Sequence, residues 1–272
     1  MGGVDLLFEN WSGQFSQISI GLTLRDTPDV SRKLPPMLDP LKQVDSRRLY
    51  QQIADQIRTF IDKGNFLPGA RLPPERDLAQ QLGVSRPSVR EALIALEIEG
   101  SVEVRMGAGV YVCGLAQRKP QTQATMGESP IELMRARAAI EGTVALLAGA
   151  KATPETLLPL RQALDGMLSA MAQNQSPLAF DRQFHVGIAA MTGNAVLERL
   201  VCELFDERHS PMAERLSAHS ESGQTWASAL QEHETILRAL EGRDVLAAQT
   251  AVRMHLQASE QRWVNDNRHE WS

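Results

Sequence analysis

One stretch constrains the 272-residue chain more than any other: Leu72 to Glu99, LPPERDLAQQLGVSRPSVREALIALEIE. Pro73 and Pro74 suit the first turn of a helix, where a missing N–H costs nothing. Leu78, Ala79 and Leu82 follow at helical spacing, and Gly83 supplies a turn. Ser85 is a good N-cap for a second helix, because its hydroxyl accepts from an orphan N–H of the first turn. Pro87 is tolerated just inside it. Val89, Leu93 and Leu96 mark the buried stripe of this helix. Arg86 and Arg90, four residues apart, are expected on a common face near its start, away from the stripe. Two helices, a tight turn and guanidinium groups at the leading end of the second helix suit insertion into a DNA groove. The plainer reading is two amphipathic helices of an ordinary bundle.

The net charge of −5 looks wrong for a polyanion binder until it is divided along the chain. Residues 42–119 hold 12 basic and 9 acidic groups, whereas residues 120–272 hold 13 and 19. The basic excess lies with the helix-turn-helix, and the acidic remainder belongs to another module. No apolar run is long enough to cross a bilayer. The N-terminus lacks a basic start followed by an apolar run, so no secretory signal is expected and the cytoplasm is the expected location. Cys113 and Cys202 form no metal or redox motif and read as incidental thiols.

Residues 1–41 show no sustained period and contain Pro35-Pro36, which reads as a mobile extension. Met37 is a candidate natural start. Residues 42–113 read as a DNA-binding domain. Its first helix is expected from about Arg47 to Lys63, with Tyr50, Ile53, Ile57, Phe60 and Ile61 inward. After Gly100 the period changes from helical to alternating, with Val102, Val104, Val110 and Val112 around the glycine-rich RMGAG. That is a β-hairpin, or wing, whose tip can approach a minor groove through Arg105 and Gly107. Residues 114–129 are polar and aperiodic and read as a linker. Residues 130–272 are helical in pattern almost throughout. The expected helices are Ile131–Ala150, Pro154–Ala172, Pro177–Met191, Ala195–Leu216, Gln224–Leu240 and Arg243–Asn265. The fold class expected is therefore mainly α: a winged helix-turn-helix joined to an antiparallel bundle of about six or seven helices.

Residues 47–112 resemble the winged-helix domain of the GntR family of bacterial transcriptional regulators. The resemblance is carried by LPPERDLAQQLGVSRPSVREAL, LEIEG and RMGAGVYV, and it covers the whole domain in order. It implies DNA contacts from the arginine of the PER segment, the start of the recognition helix and the wing tip. On this sequence these are Arg76, Ser85, Arg86, Ser88, Arg90, Arg105 and Gly107. Pro87 and Met106 stand where some relatives have polar residues, which bears on base preference.

The second module becomes informative when its ionisable residues are placed on helical wheels at about 100° per residue. In Ile131–Ala150, Leu133, Ala136, Ile140, Val144 and Leu147 form the expected stripe, with Arg137 inside it and Arg135 opposite. In Pro177–Met191, Asp181 and His185 share the side of Phe184, Ile188 and Met191. His233 lies among Trp226, Leu230, Leu237 and Leu240, and His255 beside Ala248 and Val252. A single inward histidine is usually a hydrogen-bonded core residue. An aspartate, three histidines and an arginine on the inward faces of four helices need a common explanation, because a buried unpaired charge is expensive. A divalent ion offsets that cost. Imidazole nitrogens with one carboxylate suit zinc first, and nickel, manganese or iron next, with Zn–N near roughly 2.0–2.1 Å. Four ligands on an ion that accepts five or six leave positions for water or a small anion.

This module is similar to the FCD domain of the FadR subfamily, through RARAAIE at Arg135–Glu141, which contains Arg137, DRQFH at Asp181–His185, EHETILRAL around His233 and RMHL around His255. The resemblance implies metal ligation by Asp181, His185, His233 and His255, with a small carboxylate or sugar acid beside the ion. Arg137 is a plausible partner for the effector carboxylate, through two parallel hydrogen bonds. SRPSVREALIALEIEG with RMGAGVYV is most similar to members that respond to hexuronates or related sugar acids; lactate-, pyruvate- and gluconate-type acids stay open. The reading that results is a homodimeric, metabolite-responsive regulator of operator DNA, with repression the expected sign. A metalloenzyme with a DNA-binding appendage, a direct metal sensor and a purely structural bundle are the alternatives. No general base or nucleophile motif near the proposed ligands favours the enzyme.

Overall fold

The computed structural model describes residues 48–105, 108–114 and 126–265. The expected extension over residues 1–41 and the wing positions Met106 and Gly107 lie outside the described residues.

The head begins with α1 (Leu49–Phe60), which buries Tyr50, Ile53 and Ile57 and ends in a wider π turn, Ile61–Asn65. Helix α2 (Glu75–Leu82) follows Pro74 and stops at Gly83, whose φ of 68° is left-handed and suited to glycine. Ser85 then caps α3 (Arg86–Ile98), its side chain accepting from the Ser88 N–H. The central part of α3 is buried, and Val89, Ala92, Leu93 and Leu96 are closed to solvent. Strands β1 (Val102–Arg105) and β2 (Gly109–Val112) pair antiparallel, with Val102 opposite Val112. The chain just before α2 adds to the free edge of β2: Leu72 N–H donates to Val110 O, Val112 N–H to Ala70 O and Gly69 N–H to Val112 O.

The body holds seven α-helices among the described residues. They are α4 (Pro130–Gly149), α5 (Pro154–Ala172), α6 (Leu178–Met191), α7 (Ala195–Asp206), α8 (Pro211–Ser220), α9 (Gly223–Glu241) and α10 (Val245–Asn265). Thr153 and Ser222 start α5 and α9 with reciprocal capping boxes, each satisfying two otherwise orphaned donors. The largest packed face joins α4 to α10, and α9 lies against α10. No helix among the described residues is long and apolar enough to cross a membrane.

Three expectations need correction. A single helix over Ala195–Leu216 is wrong: α7 ends, a 3₁₀ turn covers Glu207–His209, and Ser210 is extended before α8 begins. Pro211 has no N–H to continue the ladder, and the Ser210 hydroxyl caps the new helix by accepting from Ala213 N–H. The stripe on α4 is also rotated. Leu147 is 43% exposed, while Met134, Arg137, Ala138, Glu141, Ala145 and Ala148 are buried. Apolar residues surround this helix almost evenly, so its wheel offered no single face. Finally, the linker does not extend to residue 129 as a solvated segment. Met126 is buried, the Tyr50 hydroxyl donates to Gly127 O, and Ser129 caps α4.

Candidate metal centre and nucleic-acid interface

Helices α6, α9 and α10 bring four side chains to one point. Asp181 and His185 sit one turn apart on α6, His233 comes from α9 and His255 from α10, and all four are buried. One ligand atom from each lies within 4.8 Å of the other three. His233 Nε2 is 3.2 Å from His185 Nε2 and 3.2 Å from Asp181 Oδ1, and His185 Nε2 is 3.5 Å from the same oxygen. Bonds of about 2.0–2.1 Å to a shared ion give ligand-to-ligand edges of about 3–3.5 Å. The three atoms therefore have the spacing of a coordination triangle.

Hydrogen bonding fits the same arrangement. Buried side-chain atoms with no hydrogen-bond partner include Asp181 Oδ1, His233 Nδ1 and Arg137 Nη2. A buried carboxylate oxygen in this state needs a cation or a donor. The outer nitrogens of two imidazoles are already fixed: His185 Nδ1 lies 2.5 Å from Glu141 Oε2, and His255 Nδ1 lies 2.7 Å from Glu232 Oε2. Carboxylates accept there, so the inner Nε2 atoms keep their lone pairs for an ion. Glu141 is in turn held by Arg137 Nε at 2.6 Å, and Glu232 by Arg262 Nη1 at 2.7 Å. The residues present thus fit a divalent ion.

Electrostatics divide the roles. Burial favours the neutral Glu141 carboxyl, but Arg137 and His185 outweigh it and hold it at about 2. Burial likewise opposes ionisation of Glu232, yet His255 and Arg262 bring it to about 2. Asp181 lies well below the usual carboxylate range, its burial being outweighed by His185 and His233. Burial, then the neighbouring His233, pushes His255 down to about 3, and burial also lowers His233. These two imidazoles are neutral at physiological pH, the form that ligates. His185 is raised, because Glu141 and Asp181 overcome its burial.

A narrow, partly open cavity of about 40 Å³ reaches Asp181 and His255 from outside. Its wall includes Arg208, Glu221, Trp226, Ser259, Arg262 and Trp263. Arg208 Nη1 donates to Asp181 Oδ2 at 3.2 Å and Nη2 to Glu221 Oε1 at 2.9 Å. Arg137 lies deeper, with its Cζ 4.6 Å from the centre of the Phe205 ring. Glu141, Glu232 and Arg208 were missed at the sequence level. Glu141 had a signal, four residues after Arg137; Glu232 adjoins His233, and its partner comes from another helix.

In the head, the side chains of Arg76 and Arg86 are 80% and 53% exposed, and Arg105 is exposed beside Glu103. Ser85 is exposed and Ser88 lies close by, 2.8 Å away between hydroxyls. Arg90 does not share the open face expected for it. It is buried and doubly bonded to buried Glu75, Nε to Oε1 at 2.7 Å and Nη2 to Oε2 at 2.8 Å. The wheel gave the angle of Arg90 but not its partner, which α2 supplies.

A winged helix bearing exposed arginines, joined to a helical body with a polar centre, defines a class: the DNA-binding transcriptional regulator with a separate sensing module. Residues 49–112 match the family described as "Bacterial regulatory proteins, gntR family", and residues 132–258 match the FCD domain. The chain is 38% identical over 225 residues to the Uxu operon transcriptional regulator of Escherichia coli, covering 80% of this chain and 87% of that protein. It is 36% identical over 216 residues to the Exu regulon transcriptional regulator of the same species, covering 78% and 83%. Among solved structures, Streptococcus agalactiae GntR aligns with a TM-score of 0.41 at 24% identity, over 78% of this chain and 99% of that one. This chain belongs to the gntR family of transcriptional regulators, in its FadR-like, FCD-bearing branch. These relatives are regulators, not enzymes.

Proposed function

We propose that the chain is a metabolite-responsive repressor. It leaves its operator when a small carboxylate, most plausibly a hexuronate or related sugar acid, binds beside a divalent ion held by Asp181, His185, His233 and His255. The observation that carries this reading is the meeting of those four buried ligand groups with Asp181 Oδ1 lacking a hydrogen-bond partner. Zinc suits the donor set best, with nickel, manganese and iron as further candidates. When bound, the ion supplies positive charge and open coordination positions for an acid. Arg137 Nη2 supplies an unused donor for the effector carboxylate. The tryptophans of the cavity wall supply apolar faces, and Ser259 and Arg262 supply polar groups suited to hydroxyls.

At the operator, a homodimer presents two heads to successive major grooves. Ser85, Arg86 and Ser88 enter from the start of α3, Arg76 holds a phosphate, and Arg105 with Gly107 reaches from the wing. Arg90 acts from beneath by fixing Glu75, toward which Arg86 also leans at 3.6 Å. The acid releases DNA only to the extent that it binds the released state more tightly.

A single set of measurements tests this. Elemental analysis finds one class of divalent ion, a thermal-shift screen of uronates, aldonates and lactate finds an acid that stabilises the loaded protein, and that acid lowers operator affinity. Indifference to every acid removes the effector. Operator binding that follows chelator alone, without any acid, makes the protein a metal sensor instead.

A further inference from the structure

The cavity and the recognition helix are joined by one short element. Arg208 lies in the 3₁₀ turn just before α8, and Glu221 just after it. Their 2.9 Å bond clasps both ends of the helix at the cavity wall. Between those ends, α8 packs on α3. There Arg215 makes a two-point contact with Glu97, Nε to Oε2 at 2.9 Å and Nη2 to Oε1 at 2.6 Å. Met212, Ala213 and Leu216 are buried beneath.

A second joint lies nearer the middle of α3. Glu91 Oε1 accepts from the Ser129 hydroxyl at 2.7 Å and from the Ile131 N–H at 3.1 Å, at the start of α4. Gly127 approaches α8 so closely that a Cβ there would stand 2.3 Å from Ser210 Cβ, and its φ of 91° excludes most other residues. The head is therefore held at a joint around Glu91 and by a tie at Glu97. The Glu97 tie is on the element that Arg208 controls.

We propose that α8 transmits effector binding to the head: an anion that draws Arg208 from Asp181 and Glu221 loosens α8, slackens the Arg215–Glu97 tie and lets the head turn about Glu91. This rests on the effector reading above. A carboxylate competes directly for Arg208, because a guanidinium favours two parallel bonds to one planar anion. Glu91 and Glu97 are six residues apart and Glu91 and Arg86 five, so the joint divides α3 into arms of about 9 Å and about 7.5 Å. Movement at the tie is carried to the DNA-facing end at nearly full amplitude and in the opposite direction.

The test uses full-length, metal-loaded protein and an operator selected from random duplexes. Arg215→Met and Glu97→Gln, neither lining the cavity, are compared with wild type. Calorimetric affinity for D-glucuronate does not fall, while operator affinity in the absence of acid drops at least about tenfold, because the tie is already cut. Reversing the pair, Arg215→Glu with Glu97→Arg, restores operator affinity and its dependence on the acid. Operator affinity unchanged in both single variants without acid overturns the proposal. Hydrogen exchange on Arg208→Ala without any acid decides the matter independently. Amides of 212–217 and 94–98 exchange roughly tenfold faster, while those of 53–57 hold. Faster exchange in α8 with 94–98 unchanged also overturns it. If D-glucuronate fails to bind wild type, the choice of effector falls, and acid-free operator affinity and exchange judge α8.

Discussion

Two of the buried polar clusters among the described residues are of opposite kinds. In the head, Arg90 and Glu75 meet through paired hydrogen bonds of 2.7 and 2.8 Å, a closed contact. In the body, Asp181 Oδ1, His233 Nδ1 and Arg137 Nη2 lie buried without hydrogen-bond partners although imidazoles and carboxylates crowd around them. A satisfied cluster holds a shape and asks for nothing further. An unsatisfied one carries a desolvation cost that a bound species can relieve. Burial and charge alone do not separate structure from sensing; completion of the bonding does.

The contrast breaks most sharply on metal. Asp181→Ala with His233→Ala is expected to abolish bound divalent ion, measured by elemental analysis. Stripping the wild type with chelator should lower Tm by roughly 10 °C. Saturation at a thousandfold excess over Kd is worth about 4 kcal/mol, and each kcal/mol moves Tm by about 2–4 °C at this size. A Tm indifferent to chelator would make the body's centre as closed as the head's.

Next in size is the head's own pair. Glu75→Gln removes the buried carboxylate that Arg90 bonds twice and should cost about 3–5 kcal/mol in urea unfolding. The double change Glu75→Gln with Arg90→Met should recover much of that loss. A cost below about 1 kcal/mol for Glu75→Gln would show that water reaches Arg90.

Glu91 sharpens the comparison with pH. Burial raises its carboxyl to about 7 from 4.5, against the lowering by Ser129 and Ile131. Its folded pKa lies above the unfolded one, so its contribution is fully present below about pH 4.5 and is lost as pH rises through about 7. Glu91→Gln does not titrate. Relative to wild type it should gain roughly 2–3 kcal/mol between pH 5 and pH 8, read from paired denaturation curves. A difference flat with pH would place a charged, solvated Glu91 at the joint.

The smallest effects are expected at the DNA face. Arg86→Ala should weaken operator binding by about 1–3 kcal/mol and relax base preference. Arg76→Ala should weaken all sequences alike and flatten the salt slope by about one. Equal loss on random and selected duplexes for Arg86→Ala would reduce it to a phosphate contact.

The α2–α3 turn was legible from residues 72–99 because Gly83, Ser85 and Pro87 act locally. Asp181 and His185 were legible because one helical turn separates them. His233 and His255 fell on inward faces, though no wheel shows that α9 and α10 converge with α6. The break at Ser210-Pro211 was written in the sequence but lay inside a strong apolar period. Arg90's burial was not legible, since its angle on α3 says nothing of Glu75 on α2. The joint at Gly127 to Ser129 was hidden for the same reason: polar residues read as a linker until Tyr50 and Glu91 supply partners.

The third edge of the wing carries a final consequence. Because Ala70 and Leu72 are stitched to β2 immediately before α2 begins, hairpin and helices press on DNA as a single stamp. The distance between a wing contact and a groove contact is then set within each head. In the proposed homodimer, tolerance for uneven half-site spacing would have to come from play between the two heads, and an operator with one or two inserted base pairs would measure that play directly.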